Sequence, residues 1–330
     1  MAWFRNSGSL FGILLASWLA VGTVAVQAAD AWPTRPLRLV VPMPPGGAAD
    51  ILGRYVAERL SNALGQPVVV ENRAGAGGNI GAEIVAKAAP DGYTLLLAPS
   101  SIYAVSATAY PSLGYKLTRD FSPISLVVNV PHVLLVNADA PVGNVAEFIR
   151  YVKAQPAGSL SFGSQGNGTV SHLEGELFNR QAGIDLVHVP YKGSAPAMLG
   201  LVRGEVHAFF DSLASARGQL QGGAVKALGV TPSRKVSALP DIPTIAESGL
   251  AGFSAESYMG VFAPAGTPPA VVNRINAILV GLVNGEASRK KLIELGFEPI
   301  SNSPDEYVRS LRAEVDKWAP IVRGVGLVTQ

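Results

Sequence analysis

The chain has no cysteine in its 330 residues. That excludes a disulfide framework, a thiolate zinc site and a lipid-modified cysteine anchor, and it leaves the compartment open. Charge is sparse and nearly balanced, with 15% charged residues and a formal net charge of +2. Arg5 is the only charged residue among 1–28, so the remainder carries +1 and offers no clustered basic surface for nucleic acid. The four histidines, His132, His172, His188 and His207, include no i, i+4 pair for a helical zinc site, and each reads as structural or solvated. The serine-hydrolase elbow is missing too, because Gly163-Ser164-Gln165-Gly166 lacks the spacer before its serine. In the turn Gly75 to Gly81 a dinucleotide fingerprint would need its third glycine at Ile80. The spacing fails by one residue.

What is present is apolar. Hydrophobic residues make up 48% of the chain, enough for two domain cores at this length. Arg5 precedes an apolar run from Leu10 to Val26, and Val26-Gln27-Ala28 places small residues where signal peptidase cuts. Residues 1–28 are read as a signal peptide cleaved after Ala28, and the remainder as a soluble monomer outside the cytoplasm. The run is also long enough for an uncleaved anchor, against which stand the small-residue exit and Asp30.

Beyond the leader, short apolar runs alternate with segments of helical period, the pattern of α/β architecture with mostly parallel strands. Leu37 to Val41 reads as a first strand; Leu52, Val56, Leu60 and Leu64 mark one helix face that Gly65 ends. The rhythm restarts near Val133, and the segment after Pro264 is nearly all helical. A chain that crosses to a second lobe and returns has a two-segment hinge. The crossings are placed near Ser125 to Val133 and Ala255 to Phe262, giving lobe 1 as 29–130 plus 257–330 and lobe 2 as 131–256.

Open α/β sheets bind ligands at the C-terminal ends of their strands, and there this chain puts glycine- and hydroxyl-rich loops. Pro44-Pro45-Gly46-Gly47 leads straight into a helix, so small residues would leave backbone N–H groups free to meet an anion at the positive end of the dipole. Ser164-Gln165-Gly166-Asn167-Gly168-Thr169 does the same in the second lobe and adds hydroxyl and amide donors. Either loop alone also reads as a tight turn with a helix cap. Asp50 fits a first-turn carboxylate on its helix dipole. Asp211 is read as a ligand acceptor or as a cap or hinge residue, and Tyr191 as a hydroxyl or flat wall or as ordinary core.

Several stretches, taken in order, resemble one family. They are Pro44-Pro45-Gly46-Gly47 with Asp50, Val70-Glu71-Asn72-Arg73-Ala74-Gly75-Ala76-Gly77-Gly78, Pro90-Asp91-Gly92-Tyr93-Thr94-Leu95-Leu96, Tyr191-Lys192-Gly193, Leu239-Pro240-Asp241-Ile242-Pro243-Thr244 and Ala263-Pro264-Ala265-Gly266-Thr267-Pro268. Together they resemble the Bug proteins, the extracytoplasmic solute receptors of tripartite tricarboxylate transporters. The resemblance implies a periplasmic, type II-like two-lobed binding protein, a small carboxylate ligand, no metal or cofactor, and a membrane partner of one large and one small integral subunit. It places ligand contacts on Met43, Pro44, Pro45, Gly46, Gly47, Ser100 and Ser101 of the first lobe. From the second lobe it adds Ser164, Gln165, Gly166, Asn167, Gly168, Thr169, Tyr191 and Asp211. Met43 departs from the phenylalanine common in the family. Two alternatives stay open: an α/β enzyme acting on a small carboxylate, with His172 or Asp211 as its base, and a sensor presenting its ligand to a signalling partner.

The leader reading is checked by intact mass. Protein recovered from a periplasmic extract is expected to weigh what Ala29 to Gln330 weighs, and a full-length mass recovered with membranes would overturn it.

Overall fold

The computed structural model describes residues 32–109 and 113–324, apart from the side chains at 101–105, 317, 321 and 324. The leader and its expected cut after Ala28 lie outside the described residues. Strands β1 (Leu37–Val41), β2 (Val68–Asn72), β3 (Thr94–Pro99) and β4 (Phe121–Val130) open a first sheet. A second sheet holds β5 (His132–Asn137), β6 (Ser161–Ser164), β7 (Val187–Pro190), β8 (Ala208–Ser212) and β9 (Val225–Val230). The chain then returns through β10 (Ser257–Pro264) and β11 (Glu298–Pro299). The strand orders are β11-β4-β10-β3-β1-β2 and β7-β6-β8-β5-β9.

Helices α1 (Ala48–Leu64), α2 (Asn79–Ala86) and α3 (Ser100–Ala109) belong with the first sheet; α4 (Val145–Lys153), α5 (Val170–Ala182), α6 (Ser194–Val202) and α7 (Leu213–Gln221) with the second. The C-terminal α8 (Pro269–Asn284), α9 (Glu286–Glu294) and α10 (Pro304–Gly324) return to the first. No helix among the described residues is long and apolar enough to cross a membrane.

Both sheets are covered on both faces, which accounts for the continuous apolar runs. In β3, Leu95 and Leu97 enter the core under α1 and α8, while Leu96 and Ala98 enter the core on the opposite face. In the second sheet Leu134 and Phe210 pack on one side and Val133, Leu135 and Phe209 on the other. The face of α1 read from the sequence is buried at Leu52, Val56, Leu60 and Leu64, and Gly65 closes the helix in the left-handed conformation (φ 69°) with its N–H on the Ser61 carbonyl.

One expectation changes, and another is narrowed. Each sheet is mixed where mostly parallel strands were expected. The core strands are parallel (β2-β1-β3 and β7-β6-β8), but β10 runs against β3 and β4, and β5 against β8 and β9. The cause is chain path, because β5 and β10 are the strands that enter each sheet from the other half. The stretches expected as hinge segments are themselves mostly strand: Ser125–Val130 lies in β4, Ser257–Phe262 lies in β10, and Ser257 pairs with Val130. The outward crossing therefore narrows to Pro131, between β4 and β5.

Helix α5 sits so close on β6 that a Cβ at Gly175 would fall 2.1 Å from Cε2 of Phe162. Gly175→Ala is expected to lower the unfolding free energy by about 1–3 kcal/mol through overpacking, read from the midpoint of urea unfolding at unchanged slope.

Candidate ligand-binding site

Because β1, β3, β6, β7 and β8 point their C-terminal ends at the same gap, the helices that follow them start there. A cavity of about 50 Å³ lies between the two halves, lined by Met43, Pro44, Gly47, Ala48, Ala49, Pro99, Met259 and Ser257 from the first and by His132, Gln165, Val170, Gly193, Ser194 and Ser212 from the second. Most of these are helix beginnings. Gly47 is the N-cap of α1, followed by Ala48 and Ala49; Val170 opens α5; Gly193 caps α6 before Ser194; Ser212 caps α7; Pro99 immediately precedes α3. The first N–H groups of a helix have no intrahelical acceptor and lie at the positive end of its dipole. Neither arginine nor lysine lines the cavity.

In the first half the loop is shaped by a buried carboxylate. Asp50 Oδ2 accepts from Gly46 N–H at 3.0 Å and from Arg54 Nε at 3.1 Å, and Oδ1 accepts from Asn72 Nδ2 at 3.1 Å. Burial raises the Asp50 pKa, but the bonds from Arg54, Gly46 and Asn72 outweigh it and hold the group below the usual value. Asn72 also donates to the Met43 carbonyl at 3.1 Å. Asp50 thus organises the loop, and the N–H of Gly46, expected to be free, is already taken. Met43, Pro44 and Gly47 face the cavity; Pro45 and Gly46 do not line it.

Ser100 is turned away: its hydroxyl lies 2.7 Å from that of Tyr307 on α10. The side chain of Ser101 is outside the described residues.

The second loop was expected to present free donors, and most are used internally. Gly166 N–H donates to Ser164 Oγ (3.1 Å), Gly168 N–H to His172 Nδ1 (3.2 Å) and Gln165 N–H to Ser171 Oγ (2.9 Å), while Thr169 Oγ1 donates to the Gly166 carbonyl (2.7 Å). Short polar side chains close the turn on itself, and Gly168 takes a φ of 72° within it. Gln165 remains on the cavity wall. Asn167 is exposed, and its carbonyl meets Gly77 of the first half. Behind the turn His172 and His188 stack with ring centres 3.8 Å apart, and His188 Nε2 lies 2.6 Å from Ser164 Oγ. Burial, with His172 beside it, pushes His188 down to about 4. Tyr191 points its ring at Gly163 and Gly200 and its hydroxyl at Glu205, away from the cavity.

Asp211 is fully buried and lies behind the lining. Its Oδ1 accepts from Gln165 Nε2 (2.7 Å) and from Ser212 N–H (2.8 Å), and its Oδ2 accepts from the Ser194 hydroxyl. Burial raises its pKa to about 6 against the lowering influence of Ser194, His132, Gln165 and Ser212. With three donors on Asp211 and Gly168 on His172, both candidate bases of the enzyme alternative are committed to structure, and neither lines the cavity.

Sequence reasoning missed Ala48, Ala49, Ser194, Ser212, Ser257, Met259 and His132. The helix-start serines carried a usable signal, a small polar residue just after a strand. His132 carried none, since its place at the crossing depends on where β4 ends.

Two α/β halves that meet helix-start to helix-start over a largely apolar cavity have the architecture of a solute-binding protein. The comparisons specify which kind. Residues 52–327 match the tripartite tricarboxylate transporter family receptor. BugT of Bordetella pertussis is 37% identical over 96% of this chain and 97% of its own. The solved structure of R. palustris Rpa4515 with adipate is 38% identical with a TM-score of 0.86, covering 89% of this chain and 98% of that one. MatC of Rhodopseudomonas palustris with bound malate is 33% identical with a TM-score of 0.81, covering 88% and 100%. This chain belongs to the tripartite tricarboxylate transporter receptor family: it is a periplasmic solute-binding protein and not an enzyme.

Asp211→Ala is expected to strand the Ser194, Gln165 and Ser212 donors and to cost about 1–3 kcal/mol of stability. Urea unfolding checks the loss.

Proposed function

We propose that this protein captures a small carboxylate between two lobes, residues 29–130 with 257–330 and residues 131–256, and hands it to a membrane transporter of one large and one small integral subunit. The observation that carries this reading is the gathering of five helix starts, from both halves, on one cavity without a lysine or arginine. Backbone donors at positive dipole ends suit an anion. Adipate in Rpa4515 and malate in MatC are carboxylates bound by relatives of the same fold.

The mechanism is closure. At about 50 Å³ the cavity is well below the ~300–1,000 Å³ of small-molecule sites. The halves touch at its rim, where a Cβ on Gly193 would lie 3.1 Å from Cγ of Pro44. Ligand therefore enters with the lobes apart, and by touching both it favours the closed form. Each charge-assisted hydrogen bond contributes roughly 1.5–3 kcal/mol, so three or four account for most of the ~8 kcal/mol of micromolar binding.

A thermal-shift panel of mono-, di- and tricarboxylates, acidic amino acids and aromatic acids tests this, with neutral sugars and cations as controls, all repeated in the presence of a chelator. Ligand at a hundred times its dissociation constant adds about 2.7 kcal/mol, a rise of roughly 5–10 °C. Gly47→Val, whose Cβ would meet nothing nearer than the Pro44 carbonyl at 3.9 Å, should fold normally and lose that rise by covering the α1 start. A response to a sugar or cation alone, or one abolished by chelator, overturns the reading.

A further inference from the structure

Among the residues lining the cavity, His132 is the one titratable side chain. It begins β5 at the crossing between the halves and is 5% exposed. Its Nδ1 lies 2.6 Å from Oε2 of Glu174, a carboxylate on α5 with no exposure at all. That contact fixes the ring: Nδ1–H donates to Glu174, and Nε2 is the nitrogen left on the opposite side. Nε2 has no hydrogen-bond partner among the described residues, and His132 lines the cavity, which leaves Nε2 as the ring nitrogen free to serve a ligand.

We propose that His132 is a specificity-determining ligand contact, whose Nε2–H receives a second carboxylate of the ligand while the start of α1 receives the first. This rests on the receptor reading above and narrows its ligand to a dicarboxylate. The seats come from opposite halves, Gly47 to Ala49 from the first and His132 from the second, so one diacid bridges the gap that closure seals. An aliphatic spacer suits the wall between them, built from Met43, Pro99, Val170 and Met259.

The charged groups facing His132 are Glu174 from α5 and Asp211 from β8. Burial lowers the His132 pKa, but Glu174, by charge and hydrogen bond, and Asp211 overcome it and raise the value above that of a free imidazole. The raised value favours the imidazolium, in which Nε2–H is a charged donor. As pH rises through the raised value the ring loses that proton. Nδ1–H stays on Glu174, and Nε2 turns a lone pair toward the ligand carboxylate. Diacid binding should weaken with rising pH in a range where the ligand itself no longer titrates.

The experiment is calorimetric titration of the wild type, His132→Gln and the double variant His132→Gln/Glu174→Gln with succinate, glutarate and adipate, each beside its monomethyl ester. Titrations run from about pH 6 to pH 9. The wild type is expected to bind its best diacid at least about tenfold more tightly than the monoester, with the preference fading as pH rises. His132→Gln should bind acid and ester within about threefold, with that ratio no longer changing with pH. Asp211 remains in that variant, so any pH dependence of its own would persist there. The double variant covers the case in which Glu174, deprived of its partner, unfolds the single one. If diacids bind but the ester binds as well, or if the variants keep the preference and the pH profile, this inference falls and the receptor reading stands. If no carboxylate of the wider panel stabilises the wild type, the receptor reading falls and takes this inference with it.

Discussion

The carboxylate of Asp211 is the point at which the cavity-lining parts of the second half are tied together. It holds the side chain of Gln165 from the loop after β6, the hydroxyl of Ser194 at the start of α6 and the N–H of Ser212 at the start of α7. Three segments that follow three different strands are thereby set in register around one buried charge. A charge with no exposure is tolerated only when its lone pairs are occupied, and here the occupying donors are the residues, or neighbours of the residues, that form the cavity wall. The first half repeats the scheme in milder form, with Asp50 gathering Gly46, Asn72 and Arg54 beneath the α1 loop. Preorganisation of this kind keeps backbone dipoles aimed inward before any ligand arrives.

Much of the fold was legible because it rests on local rules. The apolar periodicity of α1, its glycine stop at Gly65 and the runs that became β1 and β3 follow from propensity and patterning alone. The long β4 and the short β5 were not separable by eye, because both are buried on two faces and only Pro131 interrupts them. Strand direction was equally hidden: nothing in the residues of β10 says that it enters from the far half.

The site was legible in outline and misread in detail. Glycine-rich loops at strand ends drew attention to Met43, Pro44, Gly47 and Gln165, which the fold brings to one cavity. Ser100, Tyr191 and Asp211 lie close in sequence to that cavity and turn elsewhere, because orientation is decided by partners distant in sequence such as Tyr307 and Glu205. The free N–H groups expected from Gly166 and Gly168 were consumed by Ser164 and His172, short-range competitors that a reading of small residues alone does not reveal.

An anion seat built from helix starts has a consequence for how such a protein can change over time. The donors at Ala48 and Ala49 belong to the main chain, so no codon substitution short of proline deletes them. Met43 and Met259, by contrast, are apolar wall residues away from those helix starts. On the proposed reading, a lineage can therefore lengthen, shorten or reshape its cargo by exchanging wall residues one at a time while the main-chain donors stay in place.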